Sequence, residues 1–367
     1  MKVLRTYLLP GFIFQSLIIG GGYGTGRELV EFFMLEGPGA GLAGMAVATL
    51  IWSVVLAVSF ELARATGRYD YRSFLSGLLG RGWVAYEVVY LVGLVLVVSV
   101  LGSAAGTIAA EMVGWPEAAG NVVVIVLVGL LAFFGSAAIE RVMSVWSVAL
   151  YGVFAVVLVM AFGRFGPAIS GALSETAADG GNWLGAGAAY AAYAAYNVGL
   201  VPAILFVVRH LPDRRTALIS GALAGPLAML PGLLIYLAML AGYPAILAEA
   251  VPSDYLLATL DAPAVRLVFQ VILFGTFIET GTALVHGFNE RLAGVAGPRM
   301  TGAVRAGVAA AMLVTALFVA EAVGLVDLIA SGYGALTWGY WVVFVIPVLT
   351  VGVYRLLANR SPDPGAR

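Results

Sequence analysis

An apolar run near the start of the chain is broken by Ile19-Gly20-Gly21-Gly22-Tyr23-Gly24-Thr25-Gly26 and passes directly into Arg27, Glu28 and Glu31. Each glycine costs a helix interior roughly 1 kcal/mol relative to alanine, and a backbone group left unsatisfied in hydrocarbon costs several. Such a segment is tolerable only where its freed backbone meets protein, water or a solute. It predicts a discontinuous membrane helix built around something polar.

Composition makes the membrane setting unavoidable. Hydrophobic residues make up 62% of the 367 and charged residues 11%, with a mean hydropathy of +1.00. Too little polar surface remains to clothe a water-soluble fold. A net charge of -1 without any basic arm points away from nucleic acid. The absence of cysteine excludes disulfides, thiolate metal sites and a cysteine nucleophile. Lys2 and Arg5 ahead of an apolar stretch imitate a secretory signal, but no A-x-A-like site closes the run, so it is expected to persist as the first membrane span.

Apolar runs of about 20 residues predict ten spans, roughly 7–35, 38–64, 82–113, 120–138, 141–163, 183–209, 216–241, 264–290, 301–322 and 326–357. With the N-terminus inside, every basic residue except Arg27, Arg164 and Arg266 falls at the cytoplasmic ends, and the outer loops carry acids such as Glu111, Glu117, Glu175, Asp179, Glu249, Asp254 and Asp261. That asymmetry predicts a multi-pass protein of the cell inner membrane with both termini cytoplasmic. The basic stretch Arg209 to Arg215 reads as a topology anchor. Proline-containing amphipathic pieces in the two longer outer connections, about 165–182 and 243–262, such as 244–252, are open to two readings, short helices or plain loop.

Ten spans divide five and five. A second interruption, Ala195-Tyr196-Asn197-Val198-Gly199-Leu200-Val201-Pro202, lies at matching depth in the sixth span. Because five is odd, the second half enters from the opposite side, and paired interruptions of this kind point to a midplane binding site. The expected organisation is an all-α membrane protein with a first repeat at 1–165, an outer loop at 166–182, a second, inverted repeat at 183–358 and a cytoplasmic tail at 359–367.

The stretch Gly20-Gly-Gly-Tyr-Gly-Thr-Gly-Arg-Glu-Leu-Val-Glu-Phe-Phe33, followed by Gly37-Pro-Gly-Ala-Gly41 and, late in the chain, Gly332-Tyr-Gly334 and Pro347, resembles the YkvI-like bacterial membrane proteins of the amino acid-polyamine-organocation superfamily. The resemblance implies the fold of the sodium-coupled leucine transporter, with spans 1, 3, 6 and 8 around a central site. It implies architecture and leaves the cargo open.

Unwinding at the first break frees amide N–H groups at the positive end of the outer half-helix, which favours an anionic group such as a carboxylate. In amino acid permeases a similar break binds the substrate carboxylate. The resemblance therefore carries substrate binding to Gly20, Gly21, Gly22, Tyr23, Gly24, Thr25 and Gly26. Freed carbonyls near Ile19 and Gly22 face a cation. In the sixth span, Tyr190, Tyr193, Tyr196, Asn197 and Gly199 are either packing or a side-chain pocket able to embrace a quaternary ammonium.

The eighth span carries Thr276-Phe-Ile-Glu279-Thr280-Gly-Thr282. An intramembrane carboxylate usually marks an ion or proton path, so Glu279 is the expected coupling residue. In sodium-coupled relatives two hydroxyls of this span and two carbonyls of the first hold the ion. Mapped here, the ligands are Glu279, Thr280 and the Thr276 carbonyl, and the Glu-Thr departure leaves Na⁺ and H⁺ both open. The fifth-span lysine of some proton-coupled relatives is absent, Arg141 lying too near the inner end. Arg27, Glu28 and Asp327 are expected gate residues, Arg27 closing against Glu321 or Asp327 or being neutralised by Glu28 or Glu31. Glu87 and His286 are candidates for the inner exit path.

No enzyme chemistry competes: His210 and His286 lie apart, and neither a nucleophile-base constellation nor a phosphate loop is present. The expected function is a secondary active transporter of a small amino acid-like or carboxylate-bearing solute, coupled to Na⁺ or H⁺, with no cofactor beyond Na⁺ and no partner beyond solute and lipid. A solute sensor or accessory protein without net transport, and a passive channel, are the alternatives.

Overall fold

Hydrocarbon side chains cover this protein outside as well as inside. Leu50, Val88, Val159, Phe318 and Val342 are exposed, which only a lipid surround tolerates at this density. The computed structural model describes residues 4–134, 136–179 and 183–358; the expected tail at 359–367 lies outside them. The chain is an all-helical, multi-pass membrane protein. In order it forms α1 (Leu9–Ile18), α2 (Gly21–Thr25), α3 (Arg27–Leu29), α4 (Pro38–Thr66), α5 (Tyr71–Leu79), α6 (Trp83–Val113), α7 (Glu117–Phe134) and α8 (Ser136–Asp179). Then come α9 (Trp183–Val198), a 3-10 helix at Val201–His210, α10 (Arg214–Met239), α11 (Pro252–Thr259), α12 (Pro263–Ala296), α13 (Gly302–Val323), α14 (Leu325–Asp327), α15 (Gly334–Tyr340) and α16 (Val353–Ala358).

Local chemistry sets these ends. Pro38 opens α4 at the position where a missing N–H costs nothing, and Gly67, with φ 65, closes it. Asp213 caps α10 by accepting from Thr216 N at 2.9 Å, and Thr301 caps α13. The last span is divided by π-helical turns at Leu328–Tyr333, Trp341–Val345 and Val348–Gly352, a geometry frequent at functional sites.

Among the described residues seven helices are long and apolar enough to cross a bilayer, or eight if the pair Ala189–Val198 and Val201–His210, bent by 55°, is one span. The ten-span expectation exceeds this for two physical reasons. Non-helical backbone cuts the first run into pieces too short to qualify alone, and the apolar stretch Glu117–Ala132 is itself short. In the outer connection 166–182, open between short helix and plain loop, residues 166–179 continue as helix beyond a kink at Phe165 (φ -120, ψ 15). Pro167 begins the new helical stretch, where its missing N–H removes no bond, so it does not stop the helix. Residues 180–182 lie outside those described. The 243–262 connection does contain short helices, a 3-10 turn at Ala245–Ala248 and α11.

α10 packs along α4 at very short range. A side chain at Gly225 would sit 2.8 Å from the Thr49 carbonyl, and one at Gly221 would meet the backbone of Leu56 and Ala57. Small residues at four-residue spacing let the two backbones approach, as is usual for helix pairs in lipid.

Helix α10 also carries Pro226 and Pro231. Pro231 has no N–H for the carbonyl four residues back, Leu227, and Gln15 of α1 supplies the missing donor, its Nε2 lying 2.9 Å from Leu227 O. Gln15→Leu is expected to lower stability by about 0.5–2 kcal/mol, read as a fall in melting temperature of the purified protein. Adding Pro231→Ala, which returns a main-chain donor to Leu227, recovers part of that loss. An unchanged melting temperature in Gln15→Leu would contradict the account.

Candidate functional site

The backbone leaves helical geometry at Ile19 (φ -76, ψ 92) and Gly20 (φ -124, ψ -158), restarts as α2, and turns again at Gly26, whose φ of 79 suits glycine. In the second half α9 ends at Val198, and Gly199 and Leu200 form a turn before Val201–His210. Side chains from other elements bond carbonyls in the turn and in the last two turns of α9 before it. Tyr86 Oη donates to Gly199 O at 2.8 Å, Trp52 Nε1 to Ala194 O at 3.0 Å, Thr337 Oγ1 to Ala192 O at 2.9 Å and Trp341 Nε1 to Ala191 O at 3.1 Å. α4, α6 and the last span thus hold α9 by its own backbone.

The two interruptions meet at a cavity of about 190 Å³, room for roughly six waters or a solute of that size. Gly20 and Gly21 line it from the first break, Tyr196 and Leu200 from the second, and Glu279 and Thr280 from α12. Glu28 joins them, as do Tyr90, Tyr333 and Tyr340. The remaining wall is largely hydrocarbon, including Ile13, Leu17, Leu94 and Val97. Among the described lining residues Glu28 and Glu279 are the charged side chains, and neither arginine, lysine nor histidine is among them. A carboxylate held at the middle of a bilayer costs about 2.5–3.5 kcal/mol on insertion scales unless a proton or cation neutralises it.

The expected site residues separate into two groups. Gly20, Gly21, Tyr196, Glu279 and Thr280 face the cavity. The others are engaged elsewhere. Thr25 Oγ1 donates to Gly22 O at 3.0 Å, and Thr276 Oγ1 to Ile272 O at 2.9 Å, each within its own segment. Ile19 and Tyr23 are buried in the core, and Gly24 abuts Leu273 of α12. Gly22 is needed for room, since a Cβ there would overlap the Glu28 carboxylate. Asn197 Nδ2 bonds Tyr193 O at 3.0 Å, and Gly199 faces the Tyr340 ring. Tyr193 belongs to an aromatic cluster with Phe32, Phe33 and Trp52, and Tyr190 stacks on Phe33.

Of the two readings open for Arg27, neutralisation by Glu31 is the one observed. Arg27 does not reach Glu321 or Asp327: its Nη2 bonds Glu31 at 2.9 Å, and its Nη1 donates to Leu247 O at 2.9 Å and Glu249 O at 3.0 Å. Spacing by four along one helix makes Glu31 the nearer acid. Glu321 instead accepts from Asn121 Nδ2 at 2.8 Å, and Asp327 is exposed. Glu28, expected at the gate, lines the cavity. Arg27 thereby ties the first broken span to the 245–249 segment over the expected outer face, and Asp254 of the same connection bonds Arg266 Nε at 2.7 Å.

Toward the basic face a second cavity, of about 530 Å³, shares Leu17, Tyr90, Ala283 and Leu284 with the first. These four side chains are the partition between them. Arg291 sits at this level, its guanidinium 3.8 Å from the Tyr71 ring centre and 3.6 Å from that of Tyr90, with Glu87 Oε2 at 3.6 Å. Glu87 contacts Arg291 and is not among the described residues lining this cavity, whereas His286 lines a separate lateral cavity between α7, α12 and α13. Sequence reasoning missed Tyr90, Tyr333 and Tyr340. Gly332-Tyr333-Gly334 was the available signal for one of them.

No protein-family model matches the chain. It is 24% identical over 291 residues to the uncharacterized membrane protein YkvI of Bacillus subtilis (strain 168), covering 77% of this chain and 79% of that one. The relative supports the resemblance to YkvI-like membrane proteins. Among solved structures the chain is similar to the manganese transporter of Eremococcus coleocola, crystallised with an aromatic bis-isothiourea substituted compound, at 13% identity and a TM-score of 0.49 over 99% of this chain and 89% of that one.

Arg27→Ala removes the donors to Leu247 O and Glu249 O. Backbone amides of the 245–259 segment are expected to exchange with solvent about tenfold faster or more, with little change in α4 or α10. Hydrogen exchange read by mass spectrometry checks this, and unchanged protection of 245–259 would contradict the tether.

Proposed function

We propose that this chain is a secondary active transporter working by alternating access. The proposed frame is ten spans in two inverted five-helix repeats, 1–165 and 183–358, with the first span of each interrupted at the site and both termini in the cytoplasm. One observation carries the reading: a single small cavity joins both backbone interruptions to Glu279 and Thr280 of α12. Structural kinks alone would not need to converge on intramembrane acids.

The surroundings support alternation. On the expected outer side Arg27 fastens the 245–249 segment, and on the inner side four side chains separate the cavity from the vestibule. The solute is small and amino acid-like, its polar group facing Gly20 and Gly21. Glu279 and Thr280 supply hard oxygen ligands for Na⁺, or Glu279 carries a proton. Thr276 donates its hydroxyl to its own helix, so any part it plays is through its carbonyl.

Purified protein in sealed liposomes tests the reading against its alternatives. A transporter accumulates labelled solute against its gradient when Na⁺ or H⁺ is supplied on one side. A sensor binds and accumulates nothing, and a channel merely equilibrates. Glu279→Gln is expected to abolish the dependence on the driving ion. An ion dependence equal to the wild type in that variant would reject Glu279 as the coupling residue.

A further inference from the structure

Two of the residues that line the cavity carry a buried polar atom that nothing in the protein answers. Glu28 is 2% exposed and Tyr340 1% exposed. Both line the cavity, and neither Glu28 Oε2 nor Tyr340 Oη has a hydrogen-bond partner. Buried polar groups are ordinarily paired, so unpaired ones on residues that border a cavity point to where a ligand's complementary group belongs. The adjacent cation does not serve: Arg27 points its guanidinium away, to Glu31 and to the carbonyls of Leu247 and Glu249. Gly22 lets the Glu28 carboxylate fold back against α2.

The charge of the missing group follows from the lining. Two carboxylates and no basic side chain, among the described lining residues, repel an anion and favour a cation. The remaining wall argues for an organic cation. Four tyrosines, Tyr90, Tyr196, Tyr333 and Tyr340, line the space, Tyr196 and Tyr333 stacking at 4.4 Å between ring centres. Aromatic rings attract alkylated ammonium groups, and aliphatic side chains accept hydrocarbon. A hard divalent metal needs six or so oxygen or similar ligands, and among the described residues no cluster of three acidic, histidine or cysteine side chains could hold a metal.

We infer that the solute of this cavity carries an ammonium group and that Glu28 is its counter-ion. The inference rests on the transport reading for its biological sense and deepens it: Glu279 takes the driving ion, Glu28 takes the cargo. Tyr340 Oη accepts a second N–H of the ammonium where the nitrogen carries one. A solute with a carboxylate but no amine lacks the group this site is built to meet.

Thermal shift of the purified full-length protein with three matched probes tests this. Propylamine carries only the amine, propionate only the carboxylate, and alanine both; tetramethylammonium adds a quaternary case. Propylamine and alanine are expected to raise the melting temperature and propionate is not. A rise with tetramethylammonium assigns the recognition to charge and rings, whereas its absence with propylamine still active assigns it to N–H donation; both outcomes keep Glu28 as partner. Glu28→Gln is expected to weaken amine binding about tenfold or more while the response to Na⁺ or to pH stays that of the wild type. Glu28→Asp, which keeps the charge, retains the preference for propylamine over propionate with weaker binding, and it serves if the glutamine variant does not fold. Stabilisation by propionate alone, no stabilisation by any amine, or wild-type amine binding in Glu28→Gln would overturn the inference. Binding of amines through Glu28 without accumulation in liposomes would defeat transport and leave this assignment standing; accumulation of propionate would do the reverse.

Discussion

Inside a bilayer no water stands ready to satisfy a polar group, and this fold is organised around that scarcity. Several places where the backbone or a side chain departs from the apolar helical norm are met by a specific partner. Gln15 replaces the N–H that Pro231 lacks. Tyr86, Trp52, Thr337 and Trp341 take up carbonyls at the end of α9. Arg27, buried near the first break, finds Glu31 and two carbonyls. Glu28 Oε2 and Tyr340 Oη are among the buried side-chain atoms left without a partner, and they are the two that belong to residues lining the cavity. Their place beside the cavity makes them informative.

The same arrangement links the cavity to both ends of the molecule. The first broken span supplies Gly20 and Gly21 to the cavity wall and, a few residues later, the Arg27 tether to the 245–249 segment. Tyr90 forms part of the partition between the two cavities and also stacks on Arg291 toward the basic face. A displacement of α2 or of Tyr90 therefore bears on occupancy and closure together. In the proposed function, that is the coupling an alternating-access protein requires.

Much of the site was legible because lipid punishes irregularity. Glycine density at 20–26 announced the first break, the Asn-Val-Gly-Leu-Val-Pro run announced a bend, and Glu279 stood out as a carboxylate in an apolar helix. What could not be read was direction. Gly26 turns through a left-handed conformation, which resets the helical phase, so counting residues from α1 cannot tell that Glu28 faces inward while Arg27 faces the outer connection. The tyrosines at 190, 193 and 196 share a rough face by spacing, yet Phe32, Phe33 and Trp52, all from other elements, claim the first two. Periodicity cannot foresee which neighbours arrive. The 166–179 segment stayed open between helix and loop for a related reason: a proline stops a helix already under way but starts a new one as readily, and here it starts one.

The central claim is that Gly20, Tyr196 and Thr280 border one solute-accessible space reached in turn from both sides. Because the chain has no cysteine, Thr280→Cys gives a single reporter, and a membrane-impermeant thiol reagent can be applied to either face of reconstituted protein. The account predicts modification of this cysteine from both faces, slowed from each by bound solute. A cysteine that reacts from neither face, or from one face only under every ion and solute condition, would contradict it.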